Sequence, residues 1–240
     1  MIALTEDVKF EFEVYASKES PREACGLVAI LKGKQRFYEC KNLSASPRDF
    51  ILDPRDFSRV SDIVSSYGGD IVSVVHSHPA TPATPSMSDL VGCEVSGIQW
   101  AIFSIKYKSW HYFTPTGYQA PLIGRAFKHG VFDCYSAVVD WYKMNTGITL
   151  PYFHRDPYWW ENGQNLLMEN FHKANFVEVK DGSIQIGDVI LMNISSPVVN
   201  HAAVYIGNDK IFHQTVNRLS SREIYGGMWK KNTRVILRQK

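Results

Sequence analysis

The stretch His76-Ser77-His78-Pro79, followed by Ser86 and Asp89, is the part of this chain best suited to hold a metal ion. Side chains of an extended strand alternate between faces, so on a strand His76 and His78 point the same way and can reach one cation. Asp89 can supply a third ligand and water a fourth, the open arrangement of a catalytic zinc rather than a structural one. Zinc lowers the pKa of bound water to about 7, and a nearby carboxylate then takes the proton. Glu23, in Pro21-Arg22-Glu23-Ala24-Cys25-Gly26-Leu27, is the candidate base. Each residue also has a plainer reading. An isolated His-x-His is weak evidence for a metal, and a glutamate near a turn is usually a surface group. Ser86-x-x-Asp89 has the form of a helix capping box. Capping and ligation are compatible, because a helix that starts at Ser86 fixes Asp89 in space.

A second chemistry is offered by Cys134, which follows Asp133 and opens a predicted helix. The positive end of a helix lowers a thiol pKa and favours the thiolate. The competing reading is a buried core cysteine. His201 and His213 flank the hairpin turn Gly207-Asn208-Asp209. A three-residue loop pairs position 213 with 203 and puts both imidazoles on one face. A two-residue loop puts them on opposite faces unless a bulge intervenes. On a shared face His201 deprotonates Cys134 and His213 orients His201. The aromatic segment from Tyr152 to Trp160, with Phe153, Tyr158 and Trp159, is either a wall of a substrate groove or a cover over the core. Cys25, Cys40 and Cys93 show no CxxC spacing and read as small buried apolar residues.

These groups need elements to position them. The spacing predicts a first helix over residues 7–18, strands over 25–31 and 36–40, and a helix with Asp53 as N-cap and Pro54 at its first position. A β-rich run at 71–75 leads into His76, a Pro-rich loop follows to Pro85, and Ser86 starts another helix. Strands over 98–105 and 110–114 close this half. Beyond Pro115-Thr116-Gly117 the predicted elements are helices over 134–145 and 163–175, then strands over 188–194, 201–206 and 210–215. Arg234, Arg238 and Lys240 read as a solvated end. Helices followed by a run of strands indicate an α+β fold, here in two domains, 1–116 and 117–240.

The chain has 240 residues, 45% hydrophobic and 21% charged, with a net charge of +2, so a nucleic-acid partner is not expected. No apolar run reaches the roughly 18 residues of a membrane span. Acids stand near the N-terminus where a secretory leader carries basic residues, so the chain is expected to fold in a cytoplasm.

The run Pro-Arg-Glu-Ala-Cys-Gly-Leu and then His-Ser-His-Pro, six residues, Ser-Met-Ser-Asp resembles the JAMM (MPN+) metallopeptidase motif over residues 1–115. The resemblance implies a cytidine-deaminase-like α/β sandwich. It also implies Zn2+ held by His76, His78 and Asp89, Glu23 as general acid/base, and Ser86 steadying the oxyanion in peptide or isopeptide cleavage. Asp133-Cys134, His201, His213 and the strand Gly187-Asp188-Val189-Ile190 resemble the NlpC/P60 cysteine peptidases, of papain-like fold. Those enzymes cleave peptidoglycan stem peptides. Two departures stand out: Asp-Cys-Tyr-Ser replaces the usual Asp-Cys-Ser-Gly, and Phe127 stands where many members have tyrosine.

The pairing of the two halves is similar to the tail assembly protein K family of lambda-like phages. Arg125-Ala126-Phe127-Lys128-His129-Gly130 and Tyr225-Gly226-Gly227-Met228-Trp229 add to that likeness. It implies a bifunctional peptidase that joins other tail-tip proteins in the host cytoplasm and meets peptidoglycan in the periplasm on infection. The alternative is a structural tail-tip or assembly-chaperone protein with vestigial sites. His111, His129, His154 and His172 match no catalytic position in either resemblance.

Overall fold

A computed structural model describes all 240 residues, which divide into two compact units, Met1–Gln119 and Ala120–Lys240. The first unit is a five-stranded sheet, order β2-β1-β3-β4-β5, made of β1 (Cys25–Leu31), β2 (Lys34–Cys40), β3 (Asp70–His78), β4 (Gln99–Ser104) and β5 (Ser109–Phe113). Only β3 and β4 run parallel. Strand alternation sorts its side chains into two cores. On one face Val28, Val75, Ala101 and Phe103 pack against Val8, Phe12 and Ala16 of α1 (Glu6–Glu19). On the other, Leu27, Ala29, Val74 and Trp100 pack against Val60 and Val64 of α2 (Pro54–Ser66) and Cys93 of α3 (Met87–Ser96). The helix starts follow local chemistry. Asp53 accepts from the Arg55 N–H, and Ser86 and Asp89 form a reciprocal capping box.

The second unit is a six-stranded antiparallel sheet, order β10-β9-β8-β7-β11-β6. Its strands are β6 (Phe176–Glu178), β7 (Val189–Met192), β8 (His201–Gly207), β9 (Lys210–His213), β10 (Ser221–Ile224) and β11 (Thr233–Gln239). One face packs Ala202, Val204 and Phe212 against Ala137, Val138 and Trp141 of α4 (Cys134–Thr146). Ile190, Met192, Ala203 and Ile211 core the other face with Trp229, from α6 (Gly227–Asn232).

The structure revises several expectations. Instead of one helix over 163–175 there is a short α5 (Leu166–Asn170) and 3-10 turns at Trp159–Asn162 and Phe171–Ala174. Strands β6, β10 and β11 and helix α6 lie where no element is predicted. Arg238 is no solvated end: it sits on β11 and donates to Asp188 at 2.7 Å, covering a carboxylate only 1% exposed. The aromatic segment divides by residue. Tyr152 and Tyr158 are exposed, whereas Trp159 is buried in the α4 core. No helix is long and apolar enough to cross a membrane.

Trp159 is 2% exposed, so Trp159→Ala leaves a cavity in that core. The variant is expected to lose about 3–5 kcal/mol of stability. Urea denaturation followed by tryptophan fluorescence checks this, and an unchanged midpoint would show that Trp159 serves only the groove.

Candidate functional sites: a His-His-Asp cluster and a cysteine-histidine pair

Strand β3 runs through His78, so His76 and His78 share the face that carries Val74 and points toward α3. The capping box sets the first turn of α3 and aims Asp89 at the same place. Asp89 Oδ1 lies 3.6 Å from His76 Nε2, and Asp89 Oδ2 lies 3.8 Å from His78 Nε2. Glu23 Oε1 is 4.0 Å from His78 Nε2. Two bonds anchor the chain beside Glu23. Ala24 N–H donates to Ser77 Oγ at 2.9 Å, and Asn42 Nδ2 donates to the Glu23 carbonyl at 2.8 Å. Phe50 stacks on the His76 ring at 4.4 Å.

The donor set fits a transition-metal ion. His78 Nδ1 lies 2.8 Å from the Pro82 carbonyl, which only accepts, so Nδ1 carries the proton and Nε2 presents its lone pair. Ligands about 2.0–2.1 Å from a tetrahedral zinc stand roughly 3.3 Å apart. The Asp89 oxygens come closer to that spacing, against both histidines, than Glu23 does. Glu23 nonetheless shares with the histidines a cluster whose ligand atoms all lie within 4.8 Å. Asp89 thus stands nearer the two imidazoles than Glu23, and both carboxylates lie beside the pair. All four side chains are buried, so water competes little for them. Ser86 Oγ donates to Asp89 Oδ2 at 2.7 Å, as does the Ser86 N–H. In this arrangement its hydroxyl orients the carboxylate, and contact with an oxyanion requires that hydroxyl to rotate.

In the second unit Cys134 heads α4, whose cap Asp133 accepts from the Ser136 N–H at 2.8 Å. A buried guanidinium locks that cap. Arg155 donates to both Asp133 oxygens, at 2.9 and 3.1 Å. Burial works against the Asp133 carboxylate, but Arg155 and the Ser136 and Gly130 N–H groups outweigh it and hold its pKa below the usual range. The Cys134 sulfur faces the start of β8, 4.0 Å from the Asn200 carbonyl and within reach of the Ala202 N–H. Cys134 and His201 line one cavity of about 360 Å³, together with Phe127, His129, Trp159 and Gln214. His129 is held by the Arg155 carbonyl at 2.8 Å.

His213 pairs with Ala203, which sets both catalytic candidates on one side of the hairpin. The loop has two residues, not three: Asn208 and Asp209 both take φ of +51°, as a primed hairpin turn requires. A register shift between Tyr205 and Gly207 supplies the compensating bulge. His201 Nε2 and His213 Nδ1 are consequently 3.0 Å apart.

Burial opposes activation of the thiol. Burial, with the Asp133 carboxylate adding to it, pushes Cys134 up to about 12, overriding the effect expected of a helix N-terminus. Burial, reinforced by His213, lowers His201 to about 3. Both shifts favour the uncharged forms, thiol and imidazole, over a thiolate–imidazolium pair. Sequence reasoning missed Arg155, Glu223 and Trp229. Arg155 is far from Cys134 in sequence and carries no motif, and the other two sit on elements the hydrophobic pattern does not announce.

Because the thiol is raised, alkylation of Cys134 by iodoacetamide should accelerate continuously from pH 6 to pH 10. A rate plateau below pH 8, tracked by mass spectrometry, would instead mark a resting thiolate–imidazolium pair.

Comparisons with known proteins bear on both sites. The model for prokaryotic homologs of the JAB domain matches residues 6–116, and the NlpC/P60 family model matches residues 124–238. A desampylase of Pyrococcus furiosus is 32% identical over 96 residues, 37% of this chain and 65% of that protein. Tail tip assembly protein K of Escherichia phage lambda is 37% identical over 172 residues, covering 72% of this chain and 83% of the relative. The same protein of Escherichia phage N15 is 34% identical over 229 residues, covering 94% and 91%. A JAB/MPN-like domain followed by an NlpC/P60 domain, with likeness to these phage proteins over nearly the full length, places the chain in the tail tip assembly protein K family.

Proposed function

We propose that this chain is a bifunctional peptidase of a phage tail tip. Its JAB/MPN-like domain is read as a zinc-dependent peptide or isopeptide hydrolase, and its NlpC/P60 domain as a cysteine endopeptidase of peptidoglycan stem peptides. The observation that carries the reading is the convergence of two imidazoles and two carboxylates in one unit, and of a thiol and paired imidazoles in the other. The phage relatives support a role in building the tail tip, beside other tail proteins.

In the first domain His76, His78 and Asp89 would hold zinc, which supplies Lewis acidity that polarises a carbonyl and acidifies water. Glu23 takes a proton at its carboxylate and returns it to the leaving amine. Ser86 orients Asp89 and, with its hydroxyl turned, donates to the developing oxyanion. In the second domain the Cys134 sulfur attacks a peptide carbonyl while its proton passes to His201. The C–N bond then breaks, the amine leaves with that proton, and water hydrolyses the thioester. His213 holds the His201 ring in the productive orientation. A structural tail-tip protein with vestigial sites remains the second reading, favoured by the upward shift of the half-buried thiol.

Two measurements test the proposal. Metal analysis of purified protein should find about one zinc per chain, lost in His78→Ala and Asp89→Ala but kept in Glu23→Gln, because Glu23 is read as a proton carrier and not a ligand. Loss of zinc in Glu23→Gln would reassign Glu23 to the ligand set. Digestion of purified muropeptides, followed by mass spectrometry, should show cleavage by wild type and His78→Ala but none by Cys134→Ala. Intact muropeptides with the wild type would favour the structural reading of the second domain.

A further inference from the structure

The hydrogen bond between the two histidines can be made in two ways, and they are not equivalent. If His201 Nε2–H donates to His213 Nδ1, then His201 keeps a bare Nδ1 and His213 carries its proton on Nε2. If His213 Nδ1–H donates instead, His201 is protonated on Nδ1. Nε2 of His201 is committed to His213, so Nδ1 is the ring nitrogen left for the thiol. Only the first arrangement leaves His201 able to act as a base.

What decides between them lies on the far side of His213. That residue is 1% exposed, and its Nε2 faces Glu223 Oε1 at 3.5 Å. Glu223 is on β10, across from Ile211, and its side chain shares the face that bears His213. Three donors hold its carboxylate. Arg218 Nη2 donates to Oε1 at 3.0 Å, Ser221 Oγ to Oε1 at 3.3 Å, and Trp229 Nε1 to Oε2 at 3.0 Å. The Trp229 ring meets His213 edge-on at 4.5 Å and leans over His201 at 5.9 Å, so it walls off the pair. A carboxylate fixed opposite Nε2 attracts an N–H there and repels a lone pair, and at 3.5 Å in a buried setting that difference is weakly screened.

We propose that Glu223 is a positioning residue that sets the tautomers of both imidazoles through His213, so that His201 turns an unprotonated Nδ1 toward Cys134. The inference rests on the cysteine-peptidase reading of this site. Cys134 and His201 line one cavity, and from His201 the polarity runs in one direction, to His213 and on to Glu223. Burial works against the Glu223 carboxylate, but His213, the Trp229 N–H and Arg218 outweigh it and keep it ionised, while donors on both of its oxygens hold its place.

The test uses the full chain with ¹⁵N-labelled histidine and no wall substrate. Two-bond proton–nitrogen correlations should show wild-type His201 and His213 both protonated on Nε2. His213 found protonated on Nδ1 overturns the proposal whatever the variants do. Glu223→Leu should shift His213 toward the Nδ1–H form and slow iodoacetamide alkylation of Cys134 at pH 8 at least about tenfold. Trp229→Phe removes the indole donor but keeps the packing. Because Arg218 and Ser221 still hold the carboxylate, it should move both tautomers and the alkylation rate in the same direction as Glu223→Leu but by no more than about threefold, on the same scale of general-base effects. If Trp229→Phe slows alkylation as much as Glu223→Leu while His213 keeps its Nε2–H, the loss comes from the indole wall and not from the tautomers, and the proposal fails. A protein that shows these tautomers yet leaves muropeptides intact would refute the peptidase reading and not the role of Glu223.

Discussion

The two-residue period of an extended strand is the constraint on which both sites depend. On β3 it turns His76 and His78 to the same face, toward the helix that carries Asp89. Between β8 and β9 it turns His201 and His213 to the same face, but only because a bulge near Tyr205 absorbs the odd residue that a two-residue loop introduces. A one-residue slip on either strand would send an imidazole to the opposite core. The hydrophobic residues that alternate with these histidines, Val75 on one strand and Ala202 and Val204 on the other, are what penalise such a slip.

Burial acts differently on the two clusters. In the first unit it gathers imidazoles and carboxylates away from water, the condition in which a cation is bound most strongly. In the second it holds a thiol and an imidazole in their uncharged forms, with Cys134 raised and His201 lowered. There the charge is displaced to the ends of the row. Asp133 with Arg155 stands at one end, and Glu223 with Arg218 at the other. Buried polar groups tolerate this only when each has a partner, so the site is framed by ion pairs rather than built from one.

Legibility differed by element. Helix α2 and strand β1 could be placed because a cap, a proline at the first turn or a continuous apolar run is local information. Strands β10 and β11 carry charged and apolar residues in patterns that resemble loops and tails. They become strands only by pairing with β9 and β7. Trp159 looked equally suited to a groove or a core, and packing against α4 decided for the core while leaving it at the cavity edge.

The sequence alone determined the residue types and spacings: His-x-His, the capping box that fixes Asp89, the cysteine at a helix start and the histidine pair twelve positions apart. These are short-range or periodic signals, and the chain carries them before it folds. Tertiary structure decided which carboxylate stands nearest the histidines, whether the thiol rests charged, and that Arg155, Glu223 and Trp229 belong to the site at all. Those outcomes depend on distance and dielectric between segments far apart in the chain, and no local pattern encodes either quantity.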